Sequence, residues 1–447
     1  MNFADLPIDH RVKKTLESKK LSELTAIQQK VIAPALSGND IVASSKTGSG
    51  KTLAFLVPCV HRLLTSRALT RKDPRVLILA PTRELAKQVF QEAKWLTSGM
   101  PINCQLIVGG ENYNDQIKVL RRNPQIIVGT AGRIADHLES KSFFINGLEL
   151  LIMDEADRML DLGFSDQLSL INRFADHRKR QTMMFSATVG KVGVNKLAES
   201  LLKSPVRVAV GEATEQHLDI KQHYCFADNI EQKDLLLPKF LNSNKHNQAV
   251  IFAATREDTE RLANQLNEQG FDAIALHAEL AQNVRSNVMN AFSRGQHSQL
   301  VCTDVASRGL DLPRVELVIN FDLPKHAEEY IHRIGRTGRA GKQGVAISLV
   351  GPRDWQSFVS IRALLDYSLE QQSIEDVETK FKGFDVRKPK VTKTKKNKKQ
   401  SSAKSNPTQA DTPKRVKSMT GKDVGDMPMR RKSKPVPPSE LDDSDED

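Results

Sequence analysis

The fold is decided by one stretch of the sequence, Ile41-Val42-Ala43-Ser44-Ser45-Lys46-Thr47-Gly48-Ser49-Gly50-Lys51-Thr52. Its first four residues predict a buried strand, and the run that follows, 53–64, has the apolar spacing of a helix. Between such elements, glycines let backbone N–H groups face an anion, and the helix N-terminus adds a positive end. The stretch therefore predicts a phosphate loop for ATP at residues 45–52. Lys51 would reach the β- and γ-phosphates and Thr52 would bind Mg²⁺.

This strand is the first of many short apolar runs that alternate with segments of helical length. The others in the first half are Val76–Ala80, Ile126–Gly129, Leu150–Asp154 and Thr182–Ser186. Those in the second half are Ala249–Ala253, Ala273–His277, Leu300–Thr303, Leu317–Asn320 and Ala346–Val350. Strands that are apolar throughout and separated by helices indicate parallel sheets covered on both faces. We expect two successive α/β domains, at residues 1–210 and 220–374, joined by a polar linker at 211–219.

The composition narrows the class of protein. A net charge of +12 over 447 residues favours a polyanionic partner, with a merely soluble basic surface as the alternative. The four cysteines are scattered without metal-ligand spacing, which predicts reduced thiols rather than zinc or disulfides. The sequence shows neither a signal peptide nor an apolar run approaching the roughly 18 residues that span a bilayer. We therefore expect a cytoplasmic protein that does not enter membranes.

Residues 375–447 differ in character from the rest of the chain. Lysine and arginine crowd together among Ser, Thr and Pro, and the last residues, 440–447, are mostly acidic. A segment of this kind buries too little apolar surface to offset its ordering entropy, so we expect a disordered tail. The tail is interpreted as a non-specific RNA anchor, with a solvated segment of no function as the alternative.

A cluster of acidic residues, Asp154-Glu155-Ala156-Asp157, ends one of the predicted buried strands. The carboxyl ends of parallel strands meet the phosphate loop of the same sheet. In that position Asp154 would hold the Mg²⁺, and Glu155 would orient and deprotonate the attacking water. A charged helix start is the alternative interpretation.

The second half carries its own dense basic motif, His332-Arg333-Ile334-Gly335-Arg336-Thr337-Gly338-Arg339, but no phosphate loop. Because the second half has no phosphate loop, we expect this motif to face the nucleotide bound by the first domain. Arg336 and Arg339 would then act as arginine fingers on the γ-phosphate, completing the catalytic site only when the domains close. A basic loop that contacts RNA is the alternative.

These three motifs, in this order, resemble the DEAD-box helicases, and the resemblance covers about residues 3–370. It implies two tandem RecA-like domains and an RNA-stimulated ATPase that uses ATP and Mg²⁺ to unwind short RNA duplexes locally. An ATP-gated RNA clamp, or a remodeller that displaces protein from RNA, is the alternative function. A DNA helicase is a more distant one.

The resemblance also implies roles for individual residues. Phe3 and Gln28 match the adenine-recognition element, although Leu24 replaces the proline usual there, and Asp311 would reach the ribose. RNA contacts are implied for Pro81, Thr82, Arg83, Gly110, Thr130, Arg133 and Thr303. Coupling of hydrolysis to unwinding is implied for Asp157, Ser186, Thr188 and His332.

Within the family, the chain is most similar to the bacterial ribosome-assembly helicases of the SrmB type. The features that carry this similarity are the Thr130-Ala131-Gly132-Arg133 variant and the basic tail with Lys422-Asp423-Val424-Gly425. The similarity implies a ribosomal RNA precursor as substrate and ribosomal proteins as possible partners. We also expect a monomer, and the Asp154-Glu155-Ala156-Asp157 motif and the Gln28 element argue against DNA as the substrate.

Overall fold

The computed structural model describes residues 1–45, 48–70, 72–187, 192–210, 219–304, 314–338, 343–365, 367–374 and 377–384. All of these residues fall in one compact unit, Met1–Asp385. Within the described part of the chain, no helix is both long and apolar enough to cross a membrane.

The first domain is built on a seven-stranded parallel sheet with the order β3-β4-β2-β5-β6-β1-β7. Its strands are β1 (Ile41–Ser45), β2 (Val76–Ala80), β3 (Cys104–Ile107), β4 (Ile126–Thr130), β5 (Leu150–Met153), β6 (Gln181–Ser186) and β7 (Val206–Val210). A 3₁₀ turn at Phe3–Asp5 precedes the first helix. The helices are α1 (His10–Ser18), α2 (Ala26–Leu36), α3 (Lys51–Thr65), α4 (Arg83–Leu96), α5 (Tyr113–Leu120), α6 (Ala131–Glu139), α7 (Ala156–Asp161), α8 (Ser165–Phe174) and α9 (Val192–Leu201).

The second domain repeats this arrangement. Its sheet has the order β10-β11-β9-β12-β13-β8-β14, which is the first order with seven added to each strand number. The strands are β8 (Ile220–Phe226), β9 (Gln248–Phe252), β10 (Ala273–Leu276), β11 (Gln299–Cys302), β12 (Val315–Asn320), β13 (Gly344–Val350) and β14 (Glu370–Gln371). The helices are α10 (Ile230–Ser243), α11 (Arg256–Glu268), α12 (Gln282–Ser293), α13 (Ala327–Ile334) and α14 (Trp355–Leu364), with a 3₁₀ turn at Pro352–Asp354.

Each sheet is buried on both faces. Ile78 of strand β2 enters one apolar cluster, while its neighbours Leu77 and Leu79 enter another on the opposite face. In the second domain, Val250 and Ile251 of β9 likewise belong to different clusters. This follows from the alternation of side chains along a strand, and it confirms the prediction of two parallel sheets flanked by helices.

The predicted strands are all present, with ends that shift by one or two residues, so that β5 stops at Met153 rather than Asp154. Four strands were not predicted, namely β3, β7, β8 and β14. The predicted linker begins where β7 ends and stops one residue before β8. Most of it, 211–218, lies outside the described residues, as does almost all of the predicted tail.

The described contacts of the second domain continue past the predicted boundary at residue 374. The backbone N–H groups of Lys380 and Phe381 both donate to Asp228 Oδ1, at 2.9 and 2.6 Å. The rings of Phe381 and Phe384 lie 5.9 and 6.3 Å from the ring of Trp355. The boundary at 374 was therefore too early, because aromatic burial and backbone hydrogen bonds hold residues 377–384 against the domain.

All four cysteines, Cys59, Cys104, Cys225 and Cys302, are buried and free. Burial raises the pKa of Cys59 to about 12 and that of Cys225 to about 11. Burial also raises the pKa of the Cys104 thiol. The prediction of unpaired thiols agrees with this arrangement.

Candidate ATP and RNA sites

The phosphate loop lies between β1 and α3. Gly48 and Gly50 have φ of 78° and 92°, the left-handed region that glycine enters without a Cβ clash. Gly50 is the residue before the first turn of α3, so the free N–H groups of that helix end open into the loop. Lys51 is 8% exposed, and its Nζ donates to the Ser45 carbonyl at 3.0 Å. Lys46 and Thr47 lie outside the described residues.

Gln28 contacts this loop directly. Its Nε2 donates to the Gly50 carbonyl at 3.0 Å, and its Oε1 accepts from the Thr25 N–H at 2.9 Å. A Cβ at Gly50 would stand only 2.6 Å from that Nε2, so glycine is required for the approach. An amide nitrogen carries two hydrogens and an amide oxygen two lone pairs. Gln28 therefore keeps one donor and one acceptor for an adenine edge while bracing the phosphate loop.

Phe3 is placed differently from the prediction. Phe3 was matched to the adenine-recognition element, in which an aromatic ring can stack on the base, but it is 3% exposed and belongs to the same apolar cluster as Leu6 and Ile27. Burial of an aromatic ring of this size is strongly favourable, which explains why the ring lies in the core. Stacking of Phe3 on a nucleotide is thus not supported by this structure.

The acidic motif begins where β5 ends. Asp154 is 4% exposed, and burial raises the pKa of its carboxyl group to about 7, against the opposing effect of the nearby Lys51 charge. Its Oδ1 is buried and has no hydrogen-bond partner among the described residues. A buried carboxylate oxygen without a donor is costly unless a cation or a proton compensates it.

These residues fit a Mg²⁺ ion bound together with nucleotide phosphates. No group of three or more His, Cys, Asp or Glu side chains in the described part of the chain forms a complete metal site. Mg²⁺ is commonly held by one or two carboxylates plus phosphates and water, so a single Asp154 carboxylate whose Oδ1 has no donor among the described residues suits it.

Asp154→Asn should change how stability depends on pH in the protein without nucleotide. The folded-state pKa of about 7 lies above the unfolded value of 3.8. The parent therefore loses stability as pH rises between these values, whereas the asparagine variant has no such loss. We expect the variant's advantage in free energy of unfolding to grow by about 1–3 kcal/mol between pH 5 and pH 7 and to level off above. Urea unfolding at several pH values measures this. Asp166→Asn on the exposed side of α8 is the control, and an advantage for Asp154→Asn that is constant with pH would contradict the assignment.

Glu155 follows with a left-handed backbone, at φ 52° and ψ 52°. A non-glycine residue in this region is uncommon and is often part of a functional site. Its Oε2 is buried, has no hydrogen-bond partner in the described part of the chain, and lies 3.3 Å from Arg158 Nη1. Glu155 Oε2 thus lies beside the Arg158 guanidinium as an ion pair and accepts no hydrogen bond from the described residues.

The last residue of the motif links it to the end of β6. Asp157 is 1% exposed, and its Oδ2 accepts from the backbone N–H of Ala187 at 3.1 Å. Ser44, at the end of β1, donates from its hydroxyl to the Ala187 carbonyl at 3.3 Å. Ser186 and Thr188 were also predicted to take part in coupling. Ser186 is buried in the last position of β6, and Thr188 lies outside the described residues.

In the second domain, the arginines of the basic motif have different environments. Arg333 is 3% exposed and forms two 2.6 Å hydrogen bonds with the Asp304 carboxylate. Arg336 is also 3% exposed, and its Nε donates to the His332 carbonyl at 3.2 Å. The other two residues predicted to approach ATP from this domain, Asp311 and Arg339, lie outside the described residues.

A cleft of about 540 Å³ brings together most of the residues predicted to bind RNA. They lie at the carboxyl ends of β2, β3 and β4 and at the first turns of α4 and α6. The predicted residues in its wall are Pro81, Thr82, Arg83, Gly110, Thr130 and Arg133. Thr303, predicted to bind RNA from the second domain, does not line this cleft.

Four second-domain residues that were not predicted also line the cleft, namely Ala278, Leu280, Gln282 and Arg285, and the last two pair with first-domain side chains. Gln282 accepts from Arg83 Nη1 at 2.9 Å, and Arg285 Nε lies 2.9 Å from Glu84 Oε1 as an ion pair. Both come from the first turn of α12, where a spacing of three residues places side chains on one helix face. That spacing, on a helix that begins just after a predicted strand, is the sequence signal that would have found them.

This combination of fold and site defines a class. The first of two parallel sheets of identical order carries a strand, a phosphate loop and a helix. Acidic residues follow β5, which is separated from the phosphate-loop strand β1 by β6. The chain is a P-loop ATPase built from two tandem RecA-like domains.

Comparisons with known proteins identify the family. The family model "DEAD/DEAH box helicase" matches residues 25–197, and "Helicase conserved C-terminal domain" matches residues 232–341. The ATP-dependent RNA helicase SrmB of Escherichia coli (strain K12) is 38% identical over 378 residues, covering 85% of each chain. The ATP-dependent rRNA helicase RRP3 of Yarrowia lipolytica is 40% identical over 377 residues, covering 83% of this chain and 76% of that protein.

Solved structures agree with this assignment. Dbp5 of S. cerevisiae bound to RNA and ADP BeF3 has a TM-score of 0.74 at 30% identity, covering 83% of this chain and 95% of the other. Mss116p bound to ssRNA and AMP-PNP has a TM-score of 0.75 at 28% identity, with coverage of 84% and 80%. The chain belongs to the DEAD-box family of ATP-dependent RNA helicases, whose members are RNA-stimulated ATPases.

Proposed function

We propose that this protein uses Mg²⁺ and ATP to separate short duplexes in ribosomal RNA precursors during ribosome assembly. The similarity to SrmB and to rRNA helicases named RRP3 supports this substrate. The observation that carries an RNA-binding function is the cleft in which first-domain loops meet Gln282 and Arg285 of the second domain. A strand held there would contact both domains at once.

On this proposal the two domains contribute different residues to ATP binding and hydrolysis. The first domain is residues 1–210, and the second is residues 220–374 together with the extension to 384. Gln28, Lys51 and residues 45–52 bind ATP, and Asp311 would contact its ribose. Thr52 and Asp154 would hold the Mg²⁺, which would neutralise phosphate charge when bound. Glu155 accepts a proton from the attacking water, and Arg336 and Arg339 stabilise the charge that develops on the γ-phosphate.

RNA binding and hydrolysis are coupled on this proposal. Contacts to the sugar-phosphate backbone carry no base information, so the cleft accepts many RNA sequences. ATP and RNA each favour the closed arrangement of the domains, and their binding is therefore positively and reciprocally coupled. Asp157, through Ala187, links the acidic motif to the end of β6, with Ser186, Thr188 and His332 completing the proposed coupling set.

The clamp function is the second candidate. The Glu84–Arg285 and Arg83–Gln282 contacts join the two domains directly across the RNA cleft, which favours a closed state that grips RNA. A strand-displacement assay with a short duplex separates the candidates. An unwinding enzyme releases the strand, whereas a clamp retains RNA without displacing it.

ATP hydrolysis with single-stranded RNA and with DNA of the same sequence tests the proposal. We expect RNA to raise the rate by at least about tenfold and DNA to have little effect, because 2′-hydroxyl contacts distinguish RNA at such sites. Equal stimulation by DNA would overturn the RNA preference. Precursor ribosomal RNA fragments should compete better than unrelated RNA of equal length if ribosomal RNA is the natural substrate. A cytoplasmic monomer that works with ribosomal proteins is part of the same proposal.

A further inference from the structure

One buried glutamine beside the RNA cleft bonds to three other residues of the first domain. Gln116 lies on α5 and is 5% exposed. Its Nε2 donates to the Val108 carbonyl at 2.8 Å. Since the amide nitrogen is committed to Val108, the oxygen must point to the other side.

That oxygen accepts from two side chains of α6. Arg133 Nη1 lies 2.9 Å away and His137 Nε2 lies 3.0 Å away. Arg133 Nη1 also donates to the Glu111 carbonyl, at 3.1 Å, in the loop that follows Gly110. Among the described residues, Arg133 Nη2 has no hydrogen-bond partner. The guanidinium is thus held from two sides through Nη1, which leaves Nη2 for a ligand in the cleft.

His137 supports this arrangement as a neutral donor. Burial lowers the pKa of its imidazole to about 4, with the nearby Arg133 charge acting in the same direction. Because the Gln116 oxygen can only accept, Nε2 of the uncharged ring carries the proton. The ring of Tyr113 stacks on it with centroids 4.1 Å apart, and the Arg133 guanidinium lies 5.5 Å from that same Tyr113 ring.

We infer that Gln116 is a positioning residue that joins the Gly110 loop to the first turn of α6 and fixes Arg133 for an RNA phosphate. This inference rests on the proposed role of Arg133 as an RNA contact. A guanidinium can form two hydrogen bonds with one phosphate. It contributes most binding free energy when its orientation is fixed before the RNA binds. Without the Gln116 oxygen, the Arg133 side chain loses its conformational freedom only when RNA binds, which weakens binding.

A double-mutant cycle on the full chain tests this. The dissociation constant for a short fluorescent single-stranded RNA is measured by anisotropy in the presence of a non-hydrolysable ATP analogue. Gln116→Leu and Arg133→Ala should each weaken binding about tenfold, the size expected for a hydrogen bond to a charged group. In the Arg133→Ala background, Gln116→Leu should add less than about twofold, because its partner is gone.

Gln116→Glu separates positioning from folding. It retains an oxygen for Arg133 and His137 but removes the donor to Val108, so it should stay within about threefold of the parent's RNA affinity. Lys118→Ala, on the exposed side of the same helix, is the control and should bind RNA like the parent. Additive losses in the cycle, or a Gln116→Glu variant as weak as Gln116→Leu, would overturn the inference. Unchanged binding by Arg133→Ala would instead remove the proposed RNA role of Arg133.

Discussion

Glu155→Gln should lower the turnover number of RNA-stimulated ATP hydrolysis by about 10²–10⁴-fold, the range for loss of a general base. The change keeps the shape of the side chain and removes its ability to take a proton. The left-handed backbone at Glu155 and the ion pair of its buried Oε2 with Arg158 Nη1, at 3.3 Å, fix the position of the carboxylate. Steady-state phosphate release at saturating RNA measures the effect.

Two further observations make this test specific. ATP and RNA should still bind to the Glu155→Gln variant, so that its complex with RNA and ATP is long-lived. Glu139→Gln, at the exposed end of α6, removes the same charge from the same domain and should leave turnover unchanged. A Glu155→Gln variant that hydrolyses ATP within tenfold of the parent would show that another group accepts the proton.

Arg333→Leu should reduce the free energy of unfolding of the second domain by about 1–3 kcal/mol, the usual cost of leaving hydrogen-bonding groups without their partners. Arg333 forms two hydrogen bonds with Asp304 and donates from Nη1 to Asn320 Oδ1 at 3.1 Å. Its guanidinium also lies 4.8 Å from the ring of Phe252. The substitution leaves the Asp304 carboxylate and the Asn320 amide without these partners.

Urea unfolding monitored separately for each domain measures this effect. Arg353→Leu provides the matched control, since Arg353 is exposed on the same domain and should change stability by less than about 0.5 kcal/mol. Arg333→Lys should recover little, because an ammonium cannot reproduce the planar fork. If Arg333→Leu lost ATPase activity at parental stability, Arg333 would be a catalytic arginine rather than a structural one.

The sequence predicted central strands better than those near the sheet edges. Strand β9, which is buried at every position, reads as a continuous apolar run and was found. Strand β8 carries Lys221, Gln222 and His223 and does not read as a strand. It is one because β13 pairs with it on one side and β14 on the other. The residues of β14 lie almost 150 positions later, so no local pattern reveals the pairing.

Prediction of the site residues from sequence has the same limit, because local patterns do not reveal contacts between distant segments. The phosphate loop and the acidic motif are contiguous, and their residue types alone indicate phosphate chemistry. Arg333 and Arg336 are three residues apart and look equivalent as sequence, yet Asp304 pairs with Arg333. Gln282 and Arg285 gain significance only because α12 meets the loop at Arg83 and Glu84. Contacts between distant segments decide these roles.

Because every native cysteine is buried, a thiol-reactive dye should label only cysteines that are introduced at exposed positions. Maleimide dyes attack thiolates, and the high pKa values of Cys59 and Cys225 keep those thiols protonated and hidden at neutral pH. One new cysteine at the exposed Glu139 and another at the exposed Glu268 would place a dye on each domain. Energy transfer between them would then follow domain closure in single molecules without removing any native cysteine.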